Sequence, residues 1–397
     1  MNETATQLKT RPLGDYLRIK HGFAFKSEYF ADTSDLIVLT PGNFFEKGGF
    51  RDRGHKDKGY KGPIPDGYIL KNGDLLIAMT EQGEGLLGSA AIVPNSDRYL
   101  HNQRLGLVEK LEGLDPLFTY YLLNTSSVRR QISNSANGTK VRHTSPDKIY
   151  QVRVSVPVLE EQVKIGQSLN HYDSLIGDNI KRINLLKELA KKLYQFHFDC
   201  PESTDWELSP LKDFGKVITG KTPSKAKAEN YSPNGMMFIK TPDMHDQLFI
   251  LNANEKISTE GELTQISKTL PVGTICISCI GTIGVVSLTT APSQTNQQIN
   301  AIVLSDEDYR EYLFFRLEDS KKTLENLGSN GATMSNVNKS KLENLKISNP
   351  PQHLVRDYHL KAEPIFRLIE VLMRKNILLN LARDLLLPRL MSGEIKA

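Results

Sequence analysis

Two halves of this 397-residue chain repeat one another in order. Pro12-Leu13-Gly14-Asp15-Tyr16 returns as Pro210-Leu211-Lys212-Asp213-Phe214, and Leu39-Thr40-Pro41-Gly42 returns as Lys240-Thr241-Pro242-Asp243. Gly73-Asp74-Leu75-Leu76-Ile77-Ala78 is echoed by Gly273-Thr274-Ile275-Cys276-Ile277-Ser278, and Asn102-Gln103-Arg104 by Asn296-Gln297-Gln298. Further on, Asn137-Gly138-Thr139 matches Asn330-Gly331-Ala332-Thr333, and Val152-Arg153-Val154 before Pro157 matches Leu345-Lys346-Ile347 before Pro350. A repeat this long is a duplicated structural unit, so whatever one half folds into the other should also adopt.

Each half opens with short runs rich in Val, Ile, Leu, Tyr and Phe, separated by Gly, Pro, Asn and Asp, which is the pattern of strands and turns. Each then closes with one long helix. Residues 160–198 contain no proline, and residues 352–391 contain only Pro364 and Pro388. Ile165, Leu169, Tyr172, Ile176, Asn179, Ile183, Leu186, Ala190 and Leu193 step by four and three, the spacing of a heptad seam. A shift of 193 residues carries these to Tyr358, Ala362, Ile365, Ile369, Leu372, Asn376, Leu379, Arg383 and Leu386, a second seam in the same phase.

Parallel pairing of the two helices would put both heads at one end, whereas antiparallel pairing relates the halves by a pseudo-twofold axis. The antiparallel form is the expectation. It lets Asn179 face Asn376 while Ile183 faces Leu372, although a helix with other exposed faces can equally show both asparagines to solvent. At 1.5 Å per residue either helix is about 58 Å long, against the roughly 34 to 36 Å between DNA half-sites one turn apart. Pro364 is expected to kink the second helix or to move its start by a turn. The predicted class is therefore α+β: two homologous mixed α/β domains, each followed by a long helix, the two helices pairing as an antiparallel coiled coil. The boundaries fall at 1–158, 159–199, 200–350 and 351–397.

Composition excludes some classes. With 39% hydrophobic and 24% charged residues the chain reads as an ordinary globular protein. It has no apolar run long enough to span a bilayer and no apolar core of a secretory signal in MNETATQLKT, so a cytoplasmic location with no membrane partner is expected. Three cysteines, Cys200, Cys276 and Cys279, are too few for a disulfide framework. The formal charge of +4 is compatible with a polyanionic partner without requiring one.

Three motifs look catalytic in isolation. Gly83-Glu84-Gly85-Leu86-Leu87-Gly88 fits a dinucleotide pattern, but no amphipathic helix follows and Pro94 intervenes, so a turn or DNA-facing loop is expected. Cys276-Ile277-Ser278-Cys279 has metal-ligand spacing but no second pair, and Leu76 and Met79 stand at the equivalent places, so a buried strand is expected. Asn349-Pro350-Pro351-Gln352 resembles the loop that grips a flipped adenine, but Gln stands where the stacking aromatic is needed, so it reads as a helix start. No catalytic, cofactor or metal residue is assigned.

DNA contacts are sought in loops that match in position between the halves but differ in chemistry. In the first half these are Asn43, Lys47, Arg51, Arg53, Lys56, Gln82, Gln103, Arg104, Lys140 and Arg142. In the second they are Lys221, Lys225, Lys227, Lys240, Asp243, Thr282, Asn296, Gln297 and Asn336. For the basic stretch Phe44 to Lys61, an ordinary solvated loop is an equal reading.

With the repeat in view, the chain resembles the specificity subunits of type I restriction-modification systems. The likeness rests on the Pro-Leu-x-Asp starts at Pro12 and Pro210, the segments at Gly73 and Gly281, Pro157-Val158-Leu159-Glu160-Glu161-Gln162, and the closing run Leu385 to Ile395. It implies two target-recognition domains, each reading one half of a split double-stranded DNA sequence, with the helices setting the gap. It also implies two methyltransferase subunits docked on the helices and restriction subunits that translocate and cleave. S-adenosylmethionine, ATP and Mg would belong to those partners and not to this chain. The second helix start, Pro350-Pro351-Gln352-His353, lacks the acidic pair of the first, so the two docking sites need not be equivalent. The rival readings are a self-contained DNA-modifying enzyme and a coiled-coil adaptor for proteins, and salt-dependent DNA affinity separates the last from the rest.

Overall fold

The computed structural model describes residues 10–81, 85–199, 205–329 and 336–397. By its contacts the chain divides into two compact units, residues 1–176 with 379–397, and residues 177–378.

In the first unit β1 (Thr10–Pro12) leads to β2 (Leu17–His21), and β3 (Leu75–Ala78), β4 (Ala90–Ile92) and β5 (Leu105–Leu111) complete an antiparallel sheet in the order β2-β5-β3-β4. Strand β3 is buried along its whole length, which is why its sequence runs apolar instead of alternating. Helix α1 (Pro116–Asn124) starts where Asp115 accepts the Phe118 N–H at 2.8 Å and Pro116 occupies the first turn, where its missing donor costs nothing. Helix α2 (Ser126–Ser135) follows at once with Thr125 as its cap. β6 (Arg153–Ser155) returns to pair with β1, Pro12 opposite Arg153. Then α3 runs unbroken from Leu159 to Phe198.

The second unit repeats this plan. β7 (Leu208–Pro210), β8 (Gly215–Thr219), β9 (Phe249–Ile250), β10 (Ile275–Ser278), β11 (Val286–Thr289) and β12 (Ile299–Leu304) give the sheet order β8-β12-β10-β11-β9. The outermost pair is parallel and has no counterpart in the first sheet. Helices α4 (Arg310–Asp319) and α5 (Lys321–Gly328) correspond to α1 and α2, and β13 (Lys346–Ser348) pairs with β7, Pro210 opposite Lys346. Helix α6 (Gln352–Met391) is unbroken across Pro364 and Pro388, so the expected shift of the helix start does not occur. The proline at 364 removes a donor to the carbonyl one turn back, on Leu360, a residue that is itself exposed.

Within the second unit the two helix segments lie antiparallel. His197 pairs with Asp357 (Nε2 to Oδ2, 3.0 Å), the Tyr358 hydroxyl donates to the Ala190 carbonyl (3.3 Å), and the Asn179 amide donates to Asn376 Oδ1 (2.7 Å). Within the first unit Asp173 is ion-paired to Arg383, while Ile165 and Leu169 share a core with Leu390 and the half-buried Leu386. The expected seam positions Ile176, Ile183, Leu186, Leu193, Ile365 and Leu379 are half-buried, and Ile369 and Leu372 are buried.

Each head is fastened to its helix segment by a shared apolar core. In the second unit Tyr194, Phe198, Tyr358 and Phe366 interlock with Tyr312, Phe314 and Phe315, with Phe198 and Tyr312 centroids 4.6 Å apart. Such ring pairs add about 0.5–1.5 kcal/mol each beyond the area they bury.

Candidate nucleic-acid interface

In both heads a short turn between two strands carries exposed polar side chains on a backbone fixed by its own hydrogen bonds. In the first head the Asn102 carboxamide oxygen accepts the Arg104 N–H at 2.9 Å. In the second the Asn296 oxygen accepts the Gln298 N–H at 3.1 Å. Asparagine bonding its own backbone two residues on is a self-contained turn. In both heads it leaves the next residue, Gln103 or Gln297, exposed at the tip. A glycine packs beneath each turn. A Cβ on Gly22 would fall 2.0 Å from the Asn102 carbonyl oxygen, and one on Gly220 2.0 Å from that of Asn296. No other residue fits there, and the repeat itself, which sets Gly22 opposite Gly220, was the signal that could have found them.

The tip is tied to its neighbours in the same way twice. Met79 N–H donates to the Arg104 carbonyl and Thr144 N–H to the Met79 carbonyl, both at 2.9 Å. Cys279 N–H donates to the Gln298 carbonyl at 2.7 Å and Val337 N–H to the Cys279 carbonyl at 2.9 Å. So Gln103 and Arg104 stand at one end of the first sheet, where the segment that follows the exposed Lys140 is tied in through Thr144. Lys221, Gln297, Thr282 and Asn336 gather at the corresponding end of the second, where the Thr222 hydroxyl donates to Gln297 Oε1 (2.7 Å) and Asn336 bridges Ile280.

Several expected contact residues serve the loops instead of facing outward. Asn43 is buried, accepts the Thr40 N–H (3.0 Å) and donates to Asp57 (2.6 Å). Asp243 accepts the Lys240 N–H (2.9 Å) and the Asn254 amide (2.8 Å). These bonds set Thr40 opposite Lys240, one residue away from the register that the shared Thr-Pro pair had suggested. Asn296 is buried, and Arg142 pairs with buried Glu81 (3.1 Å) and the Ser133 hydroxyl (2.9 Å). Lys240 and Lys225 both pair with Glu255, whose carboxyl is held below its usual range chiefly by the hydrogen bond from Lys240. Gln82 lies outside the described residues.

The basic stretch of the first head keeps its cations outward. Lys47 is 82% exposed although it meets Asp384 at 3.0 Å, Arg51 lies over the Phe45 ring, and Lys56 is exposed. Arg53 is half-buried, its main-chain N–H donating to Asp57. In the second head Lys227 is likewise exposed.

The motifs with catalytic spacing have other uses. Cys276 and Cys279 are buried in and just beyond β10, and burial pushes their thiols up to about 12 and about 11, far from the thiolate a metal needs. Their counterparts are Leu76 and Met79, as the matching backbone bonds show. No group of three or more His, Cys, Asp or Glu suited to a metal occurs among the described residues. Gly85 to Gly88 is a turn whose Gly88 N–H donates back to Ala78, and Asn349-Pro350-Pro351 runs directly into α6. Among the described residues no helix is long and apolar enough to cross a membrane.

Comparison with known proteins agrees with this duplicated arrangement. Residues 6–188 and 203–353 match the family described as Type I restriction modification DNA specificity domain. The HindI specificity subunit of Haemophilus influenzae is 41% identical over 192 residues, 48% of this chain and 42% of that relative, so the match spans less than half of its length. A putative MjaX specificity subunit of Methanocaldococcus jannaschii is 25% identical over 361 residues, 83% of this chain and 80% of that one. A crystal structure of a type I restriction-modification S subunit from M. genitalium shares the fold, with TM-score 0.63 and 14% identity over 98% of both chains. Carrying two copies of the domain, the chain belongs to the type I restriction-modification DNA specificity family.

Proposed function

We propose that each head reads one half of a bipartite double-stranded DNA target, with Gln103 and Arg104 at the reading edge of the first and Gln297, Thr282 and Asn336 at that of the second. The observation that carries this is the repeated tip: the same asparagine turn, on the same close-packed glycine, presents side chains of differing surroundings in two heads of one plan. Both tips carry glutamine, and the residue after it changes from Arg104 to Gln298, so one scaffold offers two heads a different neighbour beside the same tip. Glutamine offers adjacent donor and acceptor to adenine, and arginine a donor fork to guanine.

The chain contributes recognition and no reaction chemistry in this reading. Methyl transfer from S-adenosylmethionine, and ATP- and Mg-dependent translocation and cleavage, belong to modification and restriction subunits that join it in the cytoplasm. Docking of two modification subunits on the helices is supported by apolar side chains left outside the cores, Leu185, Leu189 and Phe196 on α3 and Leu368, Val371 and Leu378 on α6. The helices would also set the distance between half-sites.

The experiment is co-expression with a cognate adenine methyltransferase subunit and single-molecule mapping of methylated adenines. A split motif whose gap changes when whole heptads are added to both helices is expected. Methylation by this chain alone would point to an enzyme, and absence of a motif with an active partner to a protein adaptor.

A further inference from the structure

In the first head, two loops, one of them leaving the strand whose Met79 bonds the Arg104 carbonyl, are fastened to one another by a pair of side chains that the sequence does not single out. Arg129, on α2, spreads its guanidinium over three main-chain carbonyls: Nε donates to Leu87 (2.9 Å), Nη1 to Glu46 (2.9 Å) and Nη2 to Gly85 (2.6 Å). Glu81, only 3% exposed, accepts the Leu86 and Leu87 N–H groups at 3.0 and 2.8 Å and pairs with Arg142 through its other oxygen. The Ser89 hydroxyl donates to the Phe45 carbonyl (2.7 Å), and Gly49 N–H to Ala90 (2.9 Å). The hairpin carrying Lys47 and the turn at 85–88 are thus one stitched body.

In the second head the described residues show no arginine or glutamate in these roles: the Ser287 hydroxyl bonds the Met244 and Gln247 carbonyls (3.2 and 2.7 Å), and the connection is shorter. Gly88 N–H bonds Ala78 in the first head and Gly284 N–H bonds Ser278 in the second, so the first-head segment is four residues longer. In the short version the Ser278 hydroxyl accepts the Val285 N–H (2.9 Å), beside the main-chain bonds between Ser278 and residues 284 and 285. A longer loop has more conformations to lose, and charge-assisted bonds to its backbone are what hold it to one.

We propose that Arg129 and Glu81 are positioning residues for sequence reading by the first head: they fix the loops that follow the strand tied to the Gln103 edge and so set which bases that head accepts. This rests on the two-head reading above. Lysine keeps the charge of Arg129 but cannot span three carbonyls, and glutamine keeps the shape of Glu81 without its charge.

The test maps methylated motifs made by the complex of modification subunits with the unaltered chain, Arg129→Lys and Glu81→Gln, alongside thermal midpoints. Both variants are expected to admit near-cognate sequences in the same single half-site, with discrimination there falling about tenfold and the other half unchanged. A motif kept intact in both halves at lower total methylation would assign the two residues to stability alone and overturn the inference. Relaxation of both halves alike would overturn it too. If the unaltered chain directs no split motif, the two-head reading itself fails and takes this inference with it.

Discussion

The amide nitrogen of Asn179 donates to Oδ1 of Asn376 at 2.7 Å, across 197 residues of sequence, although Asn179 is only 3% exposed. The pair sits in a seam that is otherwise mostly apolar, and it makes sense only in one register, because sliding either segment by a turn would set each amide against a hydrocarbon. Asn376→Leu alone should destabilise the second unit by about 1–3 kcal/mol, since it removes a partner from a buried amide. Asn179→Leu with Asn376→Leu should recover that loss, which urea unfolding midpoints will show. Equal losses in the single and double variants would mean that the pair carries no coupling.

His101 supports the first reading edge from inside. Its ring is buried, Nε2 lies 2.9 Å from the Leu105 carbonyl oxygen, and Nδ1 has no hydrogen-bond partner. Burial lowers its pKa to about 4, so the folded chain keeps it neutral where the unfolded chain, near 6.5, takes up a proton. Stability from this group is therefore full above about pH 6.5 and is lost as pH falls towards about 4. The difference between wild type and His101→Gln should change by about 3 kcal/mol across that window. His359, held up chiefly by its hydrogen bond to buried Glu311, has the opposite sign, contributing below 6.5 and losing its contribution as pH rises through its elevated pKa. Unfolding followed at pH 5, 7 and 9 checks both directions with one pair of variants, His101→Gln and His359→Gln.

The tips give a prediction for each head separately. Gln103→Ala should relax one half of the methylated motif and Gln297→Ala the other, each by about tenfold at the affected position. Neither should move the thermal midpoint by more than about 0.5 kcal/mol of stability, because both side chains are exposed. Both substitutions altering the same half would remove the assignment of one head to one half-site.

What the sequence made legible was whatever repeats at short range or returns after 193 to 200 residues. The seam, the equivalence of Cys276 with Leu76 and the facing asparagines all follow from periodicity, because a helix must bury a stripe and a strand a face. Which member of a polar neighbour pair faces outward did not follow. Asn296 and Gln297 are equally polar, yet one closes a turn and the other crowns it. Asn43 and Lys47 divide in the same way, since a short amide can bond the backbone beside it while a long amine reaches past it. The aromatic stripe of Tyr194, Phe198 and Phe366 lies next to the seam and was invisible as a head contact because its partners, Tyr312 and Phe315, are far away in sequence. For the same reason residues 379–397 group with 1–176 by packing and not by chain order.

Charge on the two heads is arranged differently, and salt dependence reads it. In the first head Lys47, Arg51 and Lys56 point to solvent, and removing a cation that meets a phosphate lowers the slope of log affinity against log salt by about 0.9. Lys56→Ala should produce such a drop while leaving the methylated motif as it was, because phosphate contacts fix position without carrying sequence. In the second head the Glu255 carboxylate holds Lys240 and Lys225 at once. Glu255→Gln should free both ammonium groups, steepen the slope and raise affinity for DNA of any sequence, with the sharper rise at low salt where exposed charges are least screened. Titration of labelled duplexes from low to moderate salt checks both signs in one assay. A slope that ignores both substitutions would place these lysines away from the DNA path, and a changed motif in Lys56→Ala would make that residue a base reader.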